Sequence, residues 1–183
     1  MNPSSNLFLI GPMGAGKSSI GRRLAEHFDM ACIDLDAAVE ERTGASVATI
    51  FEIEGETGFR RREAELLAEL AARDGIVLAT GGGAVLAPEN RPRLRERGFV
   101  VWLQTSIEQQ LARLVRDRQR PLLNAPDRRA RLEQLARERD PVYRELADFI
   151  VAGRGESCQH AAGRIASLLE QHWQRASVPK PTT

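Results

Sequence analysis

Four apolar residues, Leu7–Ile10, run directly into Gly11-Pro-Met-Gly-Ala-Gly-Lys-Ser18, and a helical pattern starts at once after them. A short apolar run of this kind suits a strand buried on both faces. A strand that passes through Gly-x-x-x-x-Gly-Lys-Ser into a helix forms a phosphate-binding loop. Its glycines admit backbone geometry closed to other residues, and its N–H groups face phosphate oxygens. The helix adds the positive end of its dipole. Gly11, Gly14, Ala15, Gly16, Lys17, Ser18 and Ser19 are therefore the expected contacts to a nucleoside triphosphate. Lys17 is expected to reach the β- and γ-phosphates and Ser18 to ligate magnesium. The choice of lysine is itself informative. Of 26 basic residues only Lys17 and Lys180 are lysine, and Lys180 lies in a Pro/Thr-rich tail. A compact ammonium on a flexible stem fits between phosphates where a planar guanidinium fits poorly.

Further short apolar runs follow at 31–33, 76–79, 99–103 and 149–152, with helical patterns between them. Strand–helix alternation implies a parallel sheet covered on both faces, an α/β fold. Ile20, Leu24, His27 and Phe28 form one helical face. A helix is expected over 57–73, stopped by Asp74-Gly75. Another opens at Pro88 and closes at Gly98, and Thr105-x-x-Glu108 reads as a capping-box start. A helix beginning near Pro126 is expected to break before Pro141, whose ring clashes with a continuing helix. The last spans about 159–172. The 183 residues suit a single domain, 1–183, with its core over about 6–172 and with frayed ends at 1–5 and 176–183.

Net charge is only +1, so there is no overall electrostatic case for nucleic acid or an anionic membrane. The charge is uneven, however: residues 91–144 carry 14 arginines against 7 carboxylates, a patch able to receive an anionic substrate or simply a set of solvated helices. Cys32 and Cys158 show neither metal spacing nor a disulfide framework, which fits reduced thiols in the cytoplasm. No segment reads as a signal peptide or membrane span.

Asp34 and Asp36 follow the second apolar run. In an extended segment i and i+2 point the same way, so both carboxylates could face the phosphate loop. One can hold water-coordinated magnesium while the other orients an acceptor hydroxyl or takes its proton. Asp36 reads equally well as a helix N-cap. Gly81-Gly82-Gly83, after the third run, lies where ligands bind in parallel sheets and allows close backbone approach. A regulatory GTPase is disfavoured: the chain contains no Asp-x-x-Gly, and Asn124-Ala-Pro-Asp127 lacks the lysine a guanine site requires.

Taken in order, Gly11–Ser18, Asp34-Leu-Asp36, Phe59-Arg60-x-x-Glu63, Gly81–Gly83, Arg120-Pro-Leu-Leu123 and Arg139-x-Pro-x-Tyr143 closely resemble the shikimate kinases over about residues 6–172. That family transfers the γ-phosphate of ATP to the 3-hydroxyl of shikimate in aromatic amino-acid biosynthesis. The resemblance implies a three-layer P-loop fold of the nucleoside monophosphate kinase type, with five parallel strands in order 2-3-1-4-5, an acceptor region over about 34–63 and a mobile lid over about 113–126. It implies Asp36 as the group on the acceptor hydroxyl, Asp34 in the magnesium shell, and Arg60 and Arg139 on the shikimate carboxylate. It places Gly82 and Gly83 along the ring, Arg113 near adenine and Arg120 on the transferring phosphoryl group. Two guanidiniums select an acid over a neutral sugar, and Glu63, one turn after Arg60, is placed to orient it. Taken singly, Arg60 reads as one of three adjacent surface arginines, and Arg139 as a cation at a helix end. ATP as co-substrate, Mg2+, shikimate and a monomeric state are the expected ligands and assembly. The lysine loop has Ser19 where the family more often has threonine, and Gly153-Arg-Gly-Glu-Ser157 carries no pattern beyond Arg154 as an adenine-side candidate. The rivals are a gluconate-type or nucleoside monophosphate kinase of the same architecture, and a non-catalytic nucleotide-gated binder.

Overall fold

Alternation along the central strand decides the architecture. In β1 (Leu7–Ile10) all four side chains are fully buried, Phe8 and Ile10 in one apolar cluster and Leu7 and Leu9 in another. A strand without a wet face needs a layer of helices on each side. The structure, a computed structural model, describes residues 4–115 and 127–176. β2 (Ala31–Asp34), β3 (Ile76–Ala79), β4 (Phe99–Gln104) and β5 (Phe149–Ala152) join β1 in one parallel sheet of order β2-β3-β1-β4-β5. Helices α1 (Lys17–Phe28) and α7 (Cys158–His172) cover one face. Helices α2 (Leu35–Thr43), α3 (Val47–Ala71), α4 (Asn90–Arg97) and α6 (Arg128–Leu146) cover the other. Helix α5 (Ile107–Leu114) packs with α6 in a smaller cluster around Met13, Leu132 and Leu135. The edge strands β2 and β5 are only partly buried, unlike the doubly buried strands their apolar runs suggest.

Connections out of β1 and β3 leave on opposite faces, through α1 and α4. The gap between these neighbouring strands is a topological switch point, where ligands bind in open α/β sheets. The phosphate loop and the glycine triplet emerge there side by side.

Several local expectations need correction. The helix expected to break before Pro141 continues to Leu146. Pro141 and Arg137, the residue whose carbonyl loses its i+4 partner, are both exposed. The buried side of α6 carries Leu132, Leu135, Arg139, Tyr143 and Leu146. Burying its apolar side chains at roughly 1.5–3 kcal/mol each exceeds the ~3 kcal/mol a helical proline costs. Two helical stretches meet within α3 at the non-helical Gly55 (φ 70°, ψ −179°): the second is the helix expected from 57, ending at Ala71, and the first, from Val47 with Ser46 as its cap, was not expected. The capping box belongs to Ser106 and Gln109, one residue past the expected pair. The helix expected to open at Pro88 begins at Asn90, after a 3-10 turn over Ala84–Leu86. Ser4, expected to be frayed, is buried: its carbonyl accepts from Trp173 Nε1 at 3.1 Å and from Ala176 N at 3.2 Å, so the packed unit reaches beyond residue 172.

Candidate functional site

The phosphate loop is built as its glycines require. Gly16 caps α1 in the left-handed region (φ 86°), where a β-carbon is disfavoured, and this turns the chain from loop to helix. No acidic residue of α1 itself lies in its first turn. Lys17 Nζ donates to the carbonyls of Gly11 and Pro12, each at 2.8 Å, which holds the ammonium against the loop. Ser18 Oγ donates to Asp34 Oδ2. Ala15 is buried and Ser19 exposed at the helix start.

Asp34 and Asp36 do not lie along one extended segment. Asp34 ends β2 and is the N-cap of α2, accepting from Ala37 N at 3.2 Å through Oδ1. The capping role considered for Asp36 therefore belongs to Asp34. One carboxylate both starts α2 and meets the Ser18 hydroxyl. Asp36 sits in the first helical turn and faces the glycine triplet instead: a β-carbon at Gly81 would lie 2.9 Å from its Oδ1.

The triplet's glycines serve space rather than backbone freedom, since none of the three has positive φ. A β-carbon at Gly81 would overlap Glu63 Oε1, and one at Gly83 would overlap the Arg60 guanidinium. At Gly82 it would come within 3.4 Å of Arg139 Nη1 and 3.5 Å of Gly11 O. Three glycines thus let β3 deliver backbone into the midst of Asp36, Glu63, Arg60 and Arg139. Residues from four separate stretches of sequence converge there.

Charge in this cluster is tightly held. Glu63 is fully buried, and its Oε2 accepts from Arg60 Nη1 at 2.7 Å. Arg60 also reaches Glu56 at 3.1 Å. Burial works against the charge on Arg60, yet Glu63 and Glu56 together hold its pKa above the ordinary arginine value. Burial raises the Glu63 pKa, helped by Asp36, and Arg60 and Arg139 do not fully offset it. Arg139 is buried, and its Nε has no hydrogen-bond partner among the described residues. Glu63 therefore does orient Arg60, and Arg139 is a core residue rather than a cation at a helix end.

On the other side of the loop, Arg113 Nη1 donates to Gly14 O at 2.8 Å. A small hollow between α1, β5 and α7 is lined by Ala15, Gln104, Arg113, Gly153 and Arg154, which brings the Arg154 segment next to the phosphate loop. Arg120 and most of the expected lid lie outside the described residues. Tyr143 was quoted in the motif without a role. Its hydroxyl donates to Gly82 O from a fully buried ring. The signal was its place four residues after Arg139, which puts both on one face of α6.

The shikimate kinase family model matches residues 13–170. This chain belongs to the shikimate kinase family. The shikimate kinase of Vibrio cholerae serotype O1 (strain ATCC 39541) is 52% identical over 172 residues, which cover 94% of this chain and 99% of the relative. That of Stenotrophomonas maltophilia (strain R551-3) is 52% identical over 178 residues, or 97% of this chain and 99% of the relative. A solved shikimate kinase from Acinetobacter baumannii, in complex with shikimate, superposes with a TM-score of 0.89 at 44% identity, covering 92% of this chain and 94% of that one. The chain is an ATP-dependent kinase, and its sheet order and layers are those of the shikimate kinase structures. The readings as a gluconate-type or nucleoside monophosphate kinase, or as a non-catalytic binder, fall away.

Proposed function

We propose that this shikimate kinase transfers the γ-phosphate of ATP to the 3-hydroxyl of shikimate in the crevice between the phosphate loop and the glycine triplet. The observation that carries the reading is the convergence of Asp36, Arg60 and Arg139 on Gly81–Gly83, beside Gly11–Ser18. In this reading the backbone N–H groups of Gly14, Ala15 and Gly16, the Ser18 and Ser19 end of α1, and Lys17 hold the triphosphate. Lys17 exchanges its contacts with the Gly11 and Pro12 carbonyls for phosphate oxygens, and it stabilises negative charge that shifts during transfer. Arg113 and Arg154 flank the adenine side.

Arg60, kept charged and aimed by Glu63, and Arg139 bind the carboxylate of the acceptor as paired guanidiniums. Gly82 and Gly83 let its ring approach the backbone. Asp36 accepts a hydrogen bond from the attacking hydroxyl and takes its proton as the new P–O bond forms. A loose phosphoryl transition state needs little base assistance, so aligning the hydroxyl is the larger part of that role. Arg120 is assigned to the transferring phosphoryl group on the family resemblance alone.

The Ser18 hydroxyl and Asp34 carboxylate suit Mg2+, which keeps several waters and takes phosphate oxygens rather than an all-protein cage. Among the described residues no group of three acidic, histidine or cysteine side chains is placed to hold an ion. Mg2+ held there would offset the negative charge of the phosphates. No helix among the described residues is long and apolar enough to cross a membrane. A monomeric, cytoplasmic enzyme with reduced Cys32 and Cys158 completes the proposal, and sedimentation of the purified protein tests the assembly state.

ADP release with ATP, Mg2+ and shikimate, gluconate or nucleoside monophosphates supplied in turn is the direct assay. The expected result is release with shikimate alone and a new phosphate monoester resonance in the product. Release independent of shikimate overturns the proposal.

A further inference from the structure

The middle glycine of the triplet lies close to both the phosphate loop and Arg139, so these parts must be kept in register. The Tyr143 hydroxyl donates to the carbonyl of Gly82, the middle glycine. A β-carbon at Gly82 would lie 3.4 Å from Arg139 Nη1 and 3.5 Å from both Gly11 O and Met13 N, so all three crowd the space a side chain would need. Tyr143 is fully buried; its ring packs on Trp102 of β4 with centroids 5.6 Å apart, and Arg144 stacks on that indole at 5.6 Å. The phenol is thus anchored to the sheet. It also follows Arg139 by four residues on α6, one turn along the same buried face. Burial keeps the hydroxyl protonated far above its ordinary range, against the pull of Arg139, so it stays a donor at every working pH.

We propose that Tyr143 is a positioning residue for the acceptor: its hydroxyl ties the Gly82 carbonyl to the helix that carries Arg139, holding both halves of the acceptor cradle against the phosphate loop. The proposal rests on the reading that Arg139 and Gly81–Gly83 form that cradle. Without the hydroxyl, the Gly82 carbonyl loses its buried partner, and the loop is free to shift relative to Arg139. Catalysis is sensitive to displacements of this size, because reacting atoms must meet at near-attack distances.

Tyr143→Phe keeps the ring and removes only the donor. One neutral hydrogen bond is worth up to about tenfold in an equilibrium constant, so KM for shikimate is expected to rise about 3- to 10-fold while KM for ATP stays within twofold. In an Arg139→Ala background the same change is expected to have little further effect on shikimate KM, since the tyrosine acts through the cradle. Tyr143 is the only tyrosine in the chain, so growth on 3-fluorotyrosine labels this site alone. Its single fluorine resonance is expected to move when shikimate is added and to move less with ATP. This measurement also serves if Tyr143→Phe fails to fold. Equal changes in both KM values, full additivity with Arg139→Ala, or a resonance unmoved by shikimate would each overturn the role of Tyr143. An Arg139→Ala enzyme with normal shikimate KM would instead overturn the cradle reading beneath it.

Discussion

At the scale of single residues, Glu63 shows how the acceptor side is wired. Its side chain is fully buried, with one oxygen on Arg60 and the other against Gly81 without a hydrogen-bond partner. Burial and Asp36 raise its pKa beyond what Arg60 and Arg139 can offset. A carboxyl with a folded pKa above its unfolded one favours the folded state below the unfolded pKa, and that contribution is lost as pH rises through the folded value. The stability of the native protein relative to Glu63→Gln should therefore fall as pH is raised from the carboxylate range towards neutrality. Urea midpoints of both proteins across that range check this, and a flat or rising difference contradicts it. Lys17 has the opposite character. It lies half-buried on the loop, and its proposed task is to meet phosphate rather than to hold the fold. Lys17→Met is expected to lower shikimate phosphorylation by about 10³-fold or more and to shift Tm by no more than a few degrees. Near-normal turnover would be incompatible with the proposed mechanism.

At the scale of elements, the informative places are those where local rules and tertiary demands disagree. Gly55 bends α3 in a backbone region that only glycine occupies readily, and no atom would crowd a β-carbon there. Gly55→Ala should cost roughly 1–3 kcal/mol through backbone strain alone, read as a lowered denaturation midpoint with an unchanged slope. Glu54 and Arg62 bridge the bend, with Arg62 Nη2 donating to Glu54 Oε1 at 2.6 Å. The sequence contained Gly55 and Gly58 but no periodic signal for a helix before the bend, so only the later part of α3 was legible. Pro141 misled in the other direction: the local penalty was read correctly, but the burial along α6 that outweighs it depends on neighbours distant in sequence. The shift of the capping role from Asp36 to Asp34 has the same origin. A spacing of two residues says nothing about where strand becomes helix, and that boundary decides which carboxylate caps and which faces the glycine triplet.

For the whole molecule, binding energy should appear as stability. A ligand present at 100 times its Kd stabilises the folded state by about 2.7 kcal/mol. Shikimate and ATP with Mg2+ should each raise Tm. Arg60→Ala should largely abolish the shikimate shift while keeping that of the nucleotide, because Arg60 lies in the acceptor cluster and far along the chain from the phosphate loop. Loss of both shifts together would argue against separate subsites. Arg120, outside the described residues, carries a prediction from the family resemblance: Arg120→Ala should lower kcat by about 10³-fold with little change in ATP affinity, and unchanged turnover would remove it from the mechanism.

The phosphate loop, the strand–helix alternation and the membership of the chain in its family were all legible in the amino-acid order. Each rests on short-range spacing, which backbone geometry and side-chain periodicity translate directly into structure. The acceptor site was legible only as a set of scattered motifs. That Gly81–Gly83 is small to admit Glu63, Asp36 and two arginines, that Arg139 is core rather than surface, and that Tyr143 reaches Gly82 were decided by the packing of α3 and α6 on the sheet. Contacts between residues far apart in the chain depend on how buried surfaces meet across the sheet, and no local pattern encodes that meeting.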